Sequence, residues 1–210
     1  MTDWDERFVD GEYPRAPDPS PVLRRYLPEI PDGRALDVAA GSGRNAVFLA
    51  DAGYEVDAVD GSAEGLRITR ERAAERGAAD RLHTEQADLT DYEFPTETYD
   101  LATVSFYRVV DRLPDVVEAL SEGGFLFVEH HLRTTDDVGG PSTDRYRYAA
   151  NELLHAGLGL TVVHYDEGRE AGDGVAEREG DETEPTDRAT ARLLARRTHG
   201  TRQSYPHRPE

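Results

Sequence analysis

Carboxylates stand in or just after three short apolar runs of this chain: Asp37, Asp60 and Asp88. A fourth run is followed by His130, His131 and Arg133, and a fifth by Tyr107 and Arg108. Each type has its own chemistry. A carboxylate accepts protons from hydroxyls or an ammonium. Histidine can take a proton near neutral pH, and arginine can hold an anion. Such residues work together only if strands deliver them to one edge.

The stretch 34–60 shows how that delivery is arranged. Residues 35–39 are of strand length and largely apolar. Gly41-Ser42-Gly43 then makes a tight turn where no Cβ is tolerated close to a ligand. Residues 44–52 carry Ala46, Val47, Leu49 and Ala50 at helical spacing, and Gly53 stops that helix. Residues 54–59 form a second strand that ends in Asp60. This β-α-β unit points the free N–H groups of a helix N-terminus into the glycine turn. Asp60 is placed to accept both hydroxyls of a ribose. Two ligands suit the layout. Residues 41–46 formally fit the G-x-G-x-x-G/A pattern of a dinucleotide site. A pyrophosphate, however, is repelled by a carboxylate such as Asp37. S-adenosylmethionine (SAM) has no phosphate and carries an ammonium and a sulfonium, so Asp37 favours it over NAD. A β-α-β unit without a ligand is the third reading.

The motif D-V-A-A-G-S-G-R-N-A, residues 37–46, resembles the first motif of class I SAM-dependent methyltransferases. Its Gly-Arg-Asn step is most similar to the small tellurite-resistance-type methyltransferases and their uncharacterised relatives. That resemblance extends over residues 4–197. It implies an α/β, Rossmann-like seven-stranded sheet, mostly parallel, with helices on both faces and the last strand antiparallel. It implies that Asp37, Ala39, Gly41, Gly43 and Asn45 hold the methionine end of SAM. Asp60, Gly61 and Ser62 then hold the ribose, Asp88 and Leu89 the adenine, and Phe106 borders the sulfonium. Tyr13, Arg15, Tyr107 and Arg133 are the expected acceptor contacts. His130, His131 and Arg108 are the expected catalytic groups, with His130 preferred as the base. The tellurite-type enzymes carry a His-Arg pair before the last strand. Here that loop offers Arg169, Arg178 and Arg188 but no histidine, so their oxyanion substrate does not carry over directly.

The remaining pattern fills in the frame. Helices are expected over 22–30, 62–76 (capped by Ser62), 114–120 (opened by Pro114) and 151–157. Strands are expected over 82–87, 99–106, 125–129, 160–165 and 189–197. The histidine pair should directly follow the 125–129 strand. Residues 134–147 read as a covering loop, 169–187 as acidic and weakly structured, and 198–210 as a disordered tail. Residues 1–33 should form a segment and helix covering the site of a methyltransferase domain at 34–197. Trp4, Phe8 and Tyr13 could make a flap there.

Composition narrows the partners. The chain has 210 residues, 43 acidic and 24 basic, for a formal charge of -19, and it contains no lysine. Nucleic acid is excluded as a partner, because phosphate binding needs a basic face. Acidic, lysine-free surfaces suit a cytoplasm of very high salt, which screens self-repulsion. There is no cysteine, hence no disulfide or thiolate metal site. Adjacent histidines point apart, so no metal is expected. No secretory signal or membrane-length apolar run is present, which reads as a cytoplasmic monomer or homodimer. The reading is a SAM-dependent methyltransferase for a small-molecule thiol, amine, hydroxyl or oxyanion. The alternatives are a SAM-binding sensor or interaction protein without catalysis and an NAD-dependent oxidoreductase.

Overall fold

The computed structural model describes residues 3–171, 187–198 and 205–209. Two short helices, α1 (Asp3–Val9) and α2 (Pro21–Tyr26), lead into β1 (Arg34–Val38), α3 (Ala46–Asp51), β2 (Glu55–Asp60), α4 (Ala63–Glu75) and β3 (Leu82–Gln86). The second half runs β4 (Tyr99–Ser105), α5 (Leu113–Ala119), β5 (Leu120–His131), α6 (Glu152–Ala156), β6 (Thr161–Glu170) and β7 (Arg188–Arg196). The strands form one sheet in the order β3-β2-β1-β4-β5-β7-β6. β7 is antiparallel to β5 and β6, and the other pairings are parallel. This is the Rossmann-like architecture expected from the sequence.

Apolar side chains from both faces hold the sheet. Ala35, Ala58, Leu101, Phe125, Phe127 and Leu194 pack against Leu23, Tyr26 and Leu49 of α2 and α3. On the opposite face, Leu36, Val38, Ala102, Val104, Leu126 and Val128 pack against Val116 of α5 and Leu153 of α6. Near-continuous apolar runs are what parallel strands covered on both faces require. Burying each large side chain contributes roughly 2 kcal/mol, so loss of either layer would expose the sheet. The strand order reverses between β1 and β4, the position where open α/β sheets leave a crevice for ligands.

Three expectations are corrected. β5 is longer than 125–129 because β7 continues its ladder: Glu129 pairs with Arg192, His130 with Ala191 and His131 with Thr190. The histidines are therefore the last residues of the strand, not the loop after it. Gly123, with φ +85°, sits inside that strand, where the register to β4 shifts between Tyr99 and Leu101. β6 likewise runs on to Glu170, since β7 pairs with it as far as Arg188. Residues 169 and 170 are strand; 172–186, most of the segment expected to be weakly structured, lie outside the described residues. So does much of the 198–210 tail.

Candidate cofactor and acceptor site

The C-terminal edge of β1 and β2 is built around two carboxylates on the α3 face. Asp60 accepts from the backbone N–H of Gly41 at 2.8 Å and of Ser62 at 2.7 Å, tying the glycine turn to the start of α4. Burial pushes its carboxyl above the usual carboxylate range, against those two hydrogen bonds. Ser62 caps α4 by accepting from Gly65 N at 3.0 Å. Asp37 is 2% exposed. One oxygen accepts from Ala46 N at 2.9 Å, at the first residue of α3, and the other from Thr103 Oγ1 at 2.6 Å. Burial raises its pKa to about 7, with Asp60 adding repulsion. The sequence reading took Asp37 as a contact for the ligand's ammonium. The structure shows it bracing α3 and β4 from below.

Two non-glycine residues adopt left-handed backbone here, Ala39 and Phe106, both at φ +58°. They follow the last residues of the adjacent strands β1 and β4. Each such conformation costs of order 1–3 kcal/mol, and paired strain of this kind clusters at functional turns. Phe106 N donates to Glu129 O at 2.8 Å, which helps hold the turn. Asn45, also buried, donates to Ser105 Oγ at 2.9 Å, while its Oδ1 has no partner. The two glycines differ in purpose. A Cβ on Gly41 would approach the Phe8 ring at 3.2 Å. A Cβ on Gly43 would meet Val47 of α3 and Thr69 of α4 at 2.7 and 2.8 Å, and its φ is +79°, so packing and backbone already require this glycine. Asp88 is exposed and accepts from Thr90 N and Oγ1 at 2.9 and 2.7 Å, as a turn cap. Leu89 beside it is buried. A depression of about 530 Å³ lined by Glu85, Ala87, Asp88, Asp91, Tyr92 and Glu93 opens at that corner. Gly61 lies between Asp60 and Ser62, with its carbonyl bonded by Gln86 Nε2.

The N-terminal segment straps this edge. Asp5 accepts from Ser62 Oγ at 2.6 Å and Glu64 N at 3.1 Å, and these bonds lower its pKa. Ser42 Oγ donates to Pro14 O at 3.0 Å, and Arg44 Nη1 to Asp18 O at 2.8 Å. Trp4, Phe8 and Tyr13 stack as a cluster. Within it Phe8, not Tyr13, meets the glycine turn. Tyr13 accepts instead from Arg7 at 3.3 Å. Arg15, expected as an acceptor contact, reaches outward to Glu71 on α4 at 3.1 Å.

The acceptor side divides the histidines. Period-two alternation puts Glu129 and His131 on the α3 face with Phe127, and His130 on the opposite face with Val128. His130 is 2% exposed, lies against the Tyr148 ring and meets Tyr146 O at 2.6 Å through Nε2. Burial lowers its pKa to about 4. It lies on the face opposite Asp37, Asp60 and His131. His131 stacks on Phe106 at 4.9 Å. Burial lowers its pKa to about 3, with His130, Arg188 and Arg147 adding to the effect, so it is a neutral imidazole across the physiological range. The expected cations are engaged elsewhere. Arg108 pairs with Glu152 and lies over Tyr148, and Arg133 is exposed and donates to Asp144 O at 3.0 Å. Tyr107 is half-buried, which raises its pKa. Sequence reasoning missed Arg44 and Arg188, both beside Phe106, and the buried ion group of Glu129 with Arg192, joined at 2.7 Å. It also missed Arg147. This buried cation donates to Pro141 O, Leu132 O and Gly139 O at 2.7, 2.9 and 3.3 Å and pins the covering loop. Among the described residues no cluster of three or more potential metal ligands occurs, and no helix is long and apolar enough to cross a membrane.

The seven-stranded sheet with one reversed strand, a glycine turn entering α3 and an acid closing the second strand form a Rossmann-like fold. Residues 35–124 match the family described as a methyltransferase domain. A demethylmenaquinone methyltransferase of Clavibacter sepedonicus is 33% identical over 109 residues, 50% of this chain and 43% of that protein. The chain spans about half the length of the curated relatives it matches. TehB from Haemophilus influenzae superposes with a TM-score of 0.70 at 21% identity, over 85% of this chain and 62% of that one. A SAM-dependent methyltransferase from Methanosarcina mazei gives 0.62 at 17% identity, over 86% and 99%. The Rossmann-like fold expected from the sequence is therefore the fold of these solved proteins.

Proposed function

We propose that this protein transfers the methyl group of SAM to a small-molecule acceptor. The observation that carries this reading is Asp60, held between Gly41 N and Ser62 N at the end of β2. A carboxylate fixed there by two backbone donors keeps lone pairs for ribose hydroxyls, and the unpartnered Asn45 Oδ1 and the two strained turns fit the same ligand. On this reading Gly41 and Ala39 border the methionine end, Asp60 to Ser62 the ribose, and Asp88 with Leu89 the adenine. When bound, SAM supplies a methyl carbon made electrophilic by the sulfonium. The protein's part is to align the acceptor with that carbon and to exclude water. Phe8 and the N-terminal strap cover the cofactor side, and Phe106 and His131 line the acceptor side. A general base is required only if the acceptor must lose a proton. The thiol, amine, hydroxyl and oxyanion classes all remain open to this geometry. We place the protein in a cytoplasm of high salt, as a monomer or homodimer; far-UV circular dichroism from millimolar to molar KCl should show the fold gained with salt.

The test is calorimetry with S-adenosylhomocysteine, followed by an assay for its production from SAM with thiol, amine, hydroxyl and oxyanion acceptors. Binding with turnover is expected. Binding with no turnover on any acceptor would favour the sensor reading, and NAD binding in place of the homocysteine product would overturn both.

A further inference from the structure

Arg112 stands immediately before α5 and turns its guanidinium on the loop between β3 and β4. Nη1 donates to Leu89 O at 2.9 Å and also to Thr90 O, and Nη2 donates to Tyr92 O at 2.6 Å. Nε donates to Asp115, in the first turn of α5, at 2.6 Å, and the guanidinium carbon lies 5.2 Å from the Phe94 ring centroid. A planar fork held on all these sides has little freedom left. The loop passes the grip on. Leu89 O and Thr90 N belong to one peptide unit, which is planar, so fixing its oxygen fixes the direction of its N–H. That N–H donates to Asp88 Oδ1 at 2.9 Å, and Thr90 Oγ1 donates to the same oxygen at 2.7 Å. Both bonds lower the Asp88 pKa, so its carboxylate is charged at neutral pH. Its other oxygen, Oδ2, takes no part in them. Asp88 lines the depression of about 530 Å³ described above, whereas Arg112 lines a separate one of about 420 Å³ with Phe94 and Asp115. Asp91, Tyr92 and Glu93 line both, so the loop is the wall between them. Arg112 holds that wall from the side away from Asp88.

We infer that Arg112 is a positioning residue for the adenine end of SAM: through the peptide unit between Leu89 and Thr90 it sets the Asp88 carboxylate, whose Oδ2 accepts from the exocyclic amino group of the purine. This rests on the methyl-transfer reading and on its placement of adenine at Asp88 and Leu89. A carboxylate accepts from an amino group and repels a carbonyl oxygen, so the arrangement selects adenine over a 6-oxopurine. Holding the carboxylate in one direction sharpens the choice, because a mobile one could swing away from the wrong oxygen.

Calorimetry on the full chain compares S-adenosylhomocysteine with S-inosylhomocysteine, in which a carbonyl oxygen replaces the amino group. Wild type should bind the adenosyl compound about tenfold or more tightly, the usual effect of one hydrogen bond to a charged group. Arg112→Met should bring that ratio to within about threefold, mainly by weakening the adenosyl compound. Arg112→Lys keeps the charge but not the fork and should fall between; it decides the matter if Arg112→Met does not fold. Asp88→Ala should abolish the ratio, and adding Arg112→Met to it should change the ratio no further, because one residue acts through the other. A role confined to folding would lower the melting temperature of the Arg112 variants and leave the ratio alone. That result overturns the inference, as does an additive effect in the double variant or a wild type that does not distinguish the two compounds. In those cases the methyl-transfer reading still stands. Failure of S-adenosylhomocysteine itself to bind would remove both.

Discussion

Replacing Asp37 with Asn tests whether a buried acid under the glycine turn carries a proton in the folded state. Asp37 titrates at about 7 in the folded chain, against 3.8 ordinarily, chiefly because burial penalises its charge. A raised folded pKa means that the native state holds a proton the unfolded chain has released. The contribution to stability is therefore complete below pH 3.8 and is lost as pH rises toward 7. The total loss is roughly 4 kcal/mol, from about 1.4 kcal/mol per pKa unit. Asn cannot ionise, so the variant lacks this decline. Its carbonyl can still accept from Ala46 N, and its amide can donate to Thr103 Oγ1, whose own hydrogen is free to turn. Urea unfolding of both proteins at pH 4, 5.5 and 8 in the same molar KCl reads the effect. The stability of Asp37→Asn minus that of wild type should rise by several kcal/mol from pH 4 to pH 8. Taking the difference between pH values cancels any fixed cost of the substitution. A difference that stays flat, or falls, with pH would refute the claim that burial dominates over the two hydrogen bonds. The same variant separates bracing from ligand contact. If Asp37 also senses the ammonium of SAM, wild-type affinity should tighten through pH 7 and the variant's should not; parallel profiles would leave Asp37 as a brace alone.

Asp60→Ala should weaken SAM by about 1–3 kcal/mol by calorimetry and lower the melting temperature too, since Gly41 N and Ser62 N lose their shared acceptor; unchanged affinity in a folded variant would remove Asp60 from the site. His131 has a lowered folded pKa, so its contribution is present above pH 6.5 and lost as pH falls toward about 3. His131→Gln should therefore lose about 2 kcal/mol less than wild type between pH 6.5 and 5 in the same urea assay. Arg192→Met should destabilise by about 3–5 kcal/mol, because it leaves Glu129 as a buried charge without its 2.7 Å partner. Glu129→Gln should cost less, since Arg192 keeps Asp166 and Glu170; equal losses in thermal unfolding would show that Glu129 is not charged there.

Local spacing made one part of the site readable. Asp37, the glycine turn and Asp60 fall within a single β-α-β unit, where strand length and helical period leave little freedom, and the structure places them together. Gly43 shows the limit of that reading, because the atoms that crowd a side chain there belong to Val47 and Thr69, and a glycine looks the same whether a ligand or a neighbouring helix requires it. The meeting of Arg44 and Arg188 at Phe106 was out of reach for another reason: it depends on β4 lying beside β5 and on β7 returning antiparallel, and no local pattern encodes a meeting so distant. The histidine pair lies between these cases. Alternation along a strand already required His130 and His131 to face opposite ways, but choosing between them needs one more fact, the layer that the neighbouring apolar residues enter. Phe127 packs toward α2 and α3, and Val128 packs toward α5 and α6. Counting by twos from Phe127 brings Glu129 and then His131 to the face that holds Asp37, Thr103 and Asp60, and it sends His130 to the other. The polar residues of the site thus take their direction from the apolar residues beneath them, and a single large side chain assigned to its layer is enough to orient the rest of its strand.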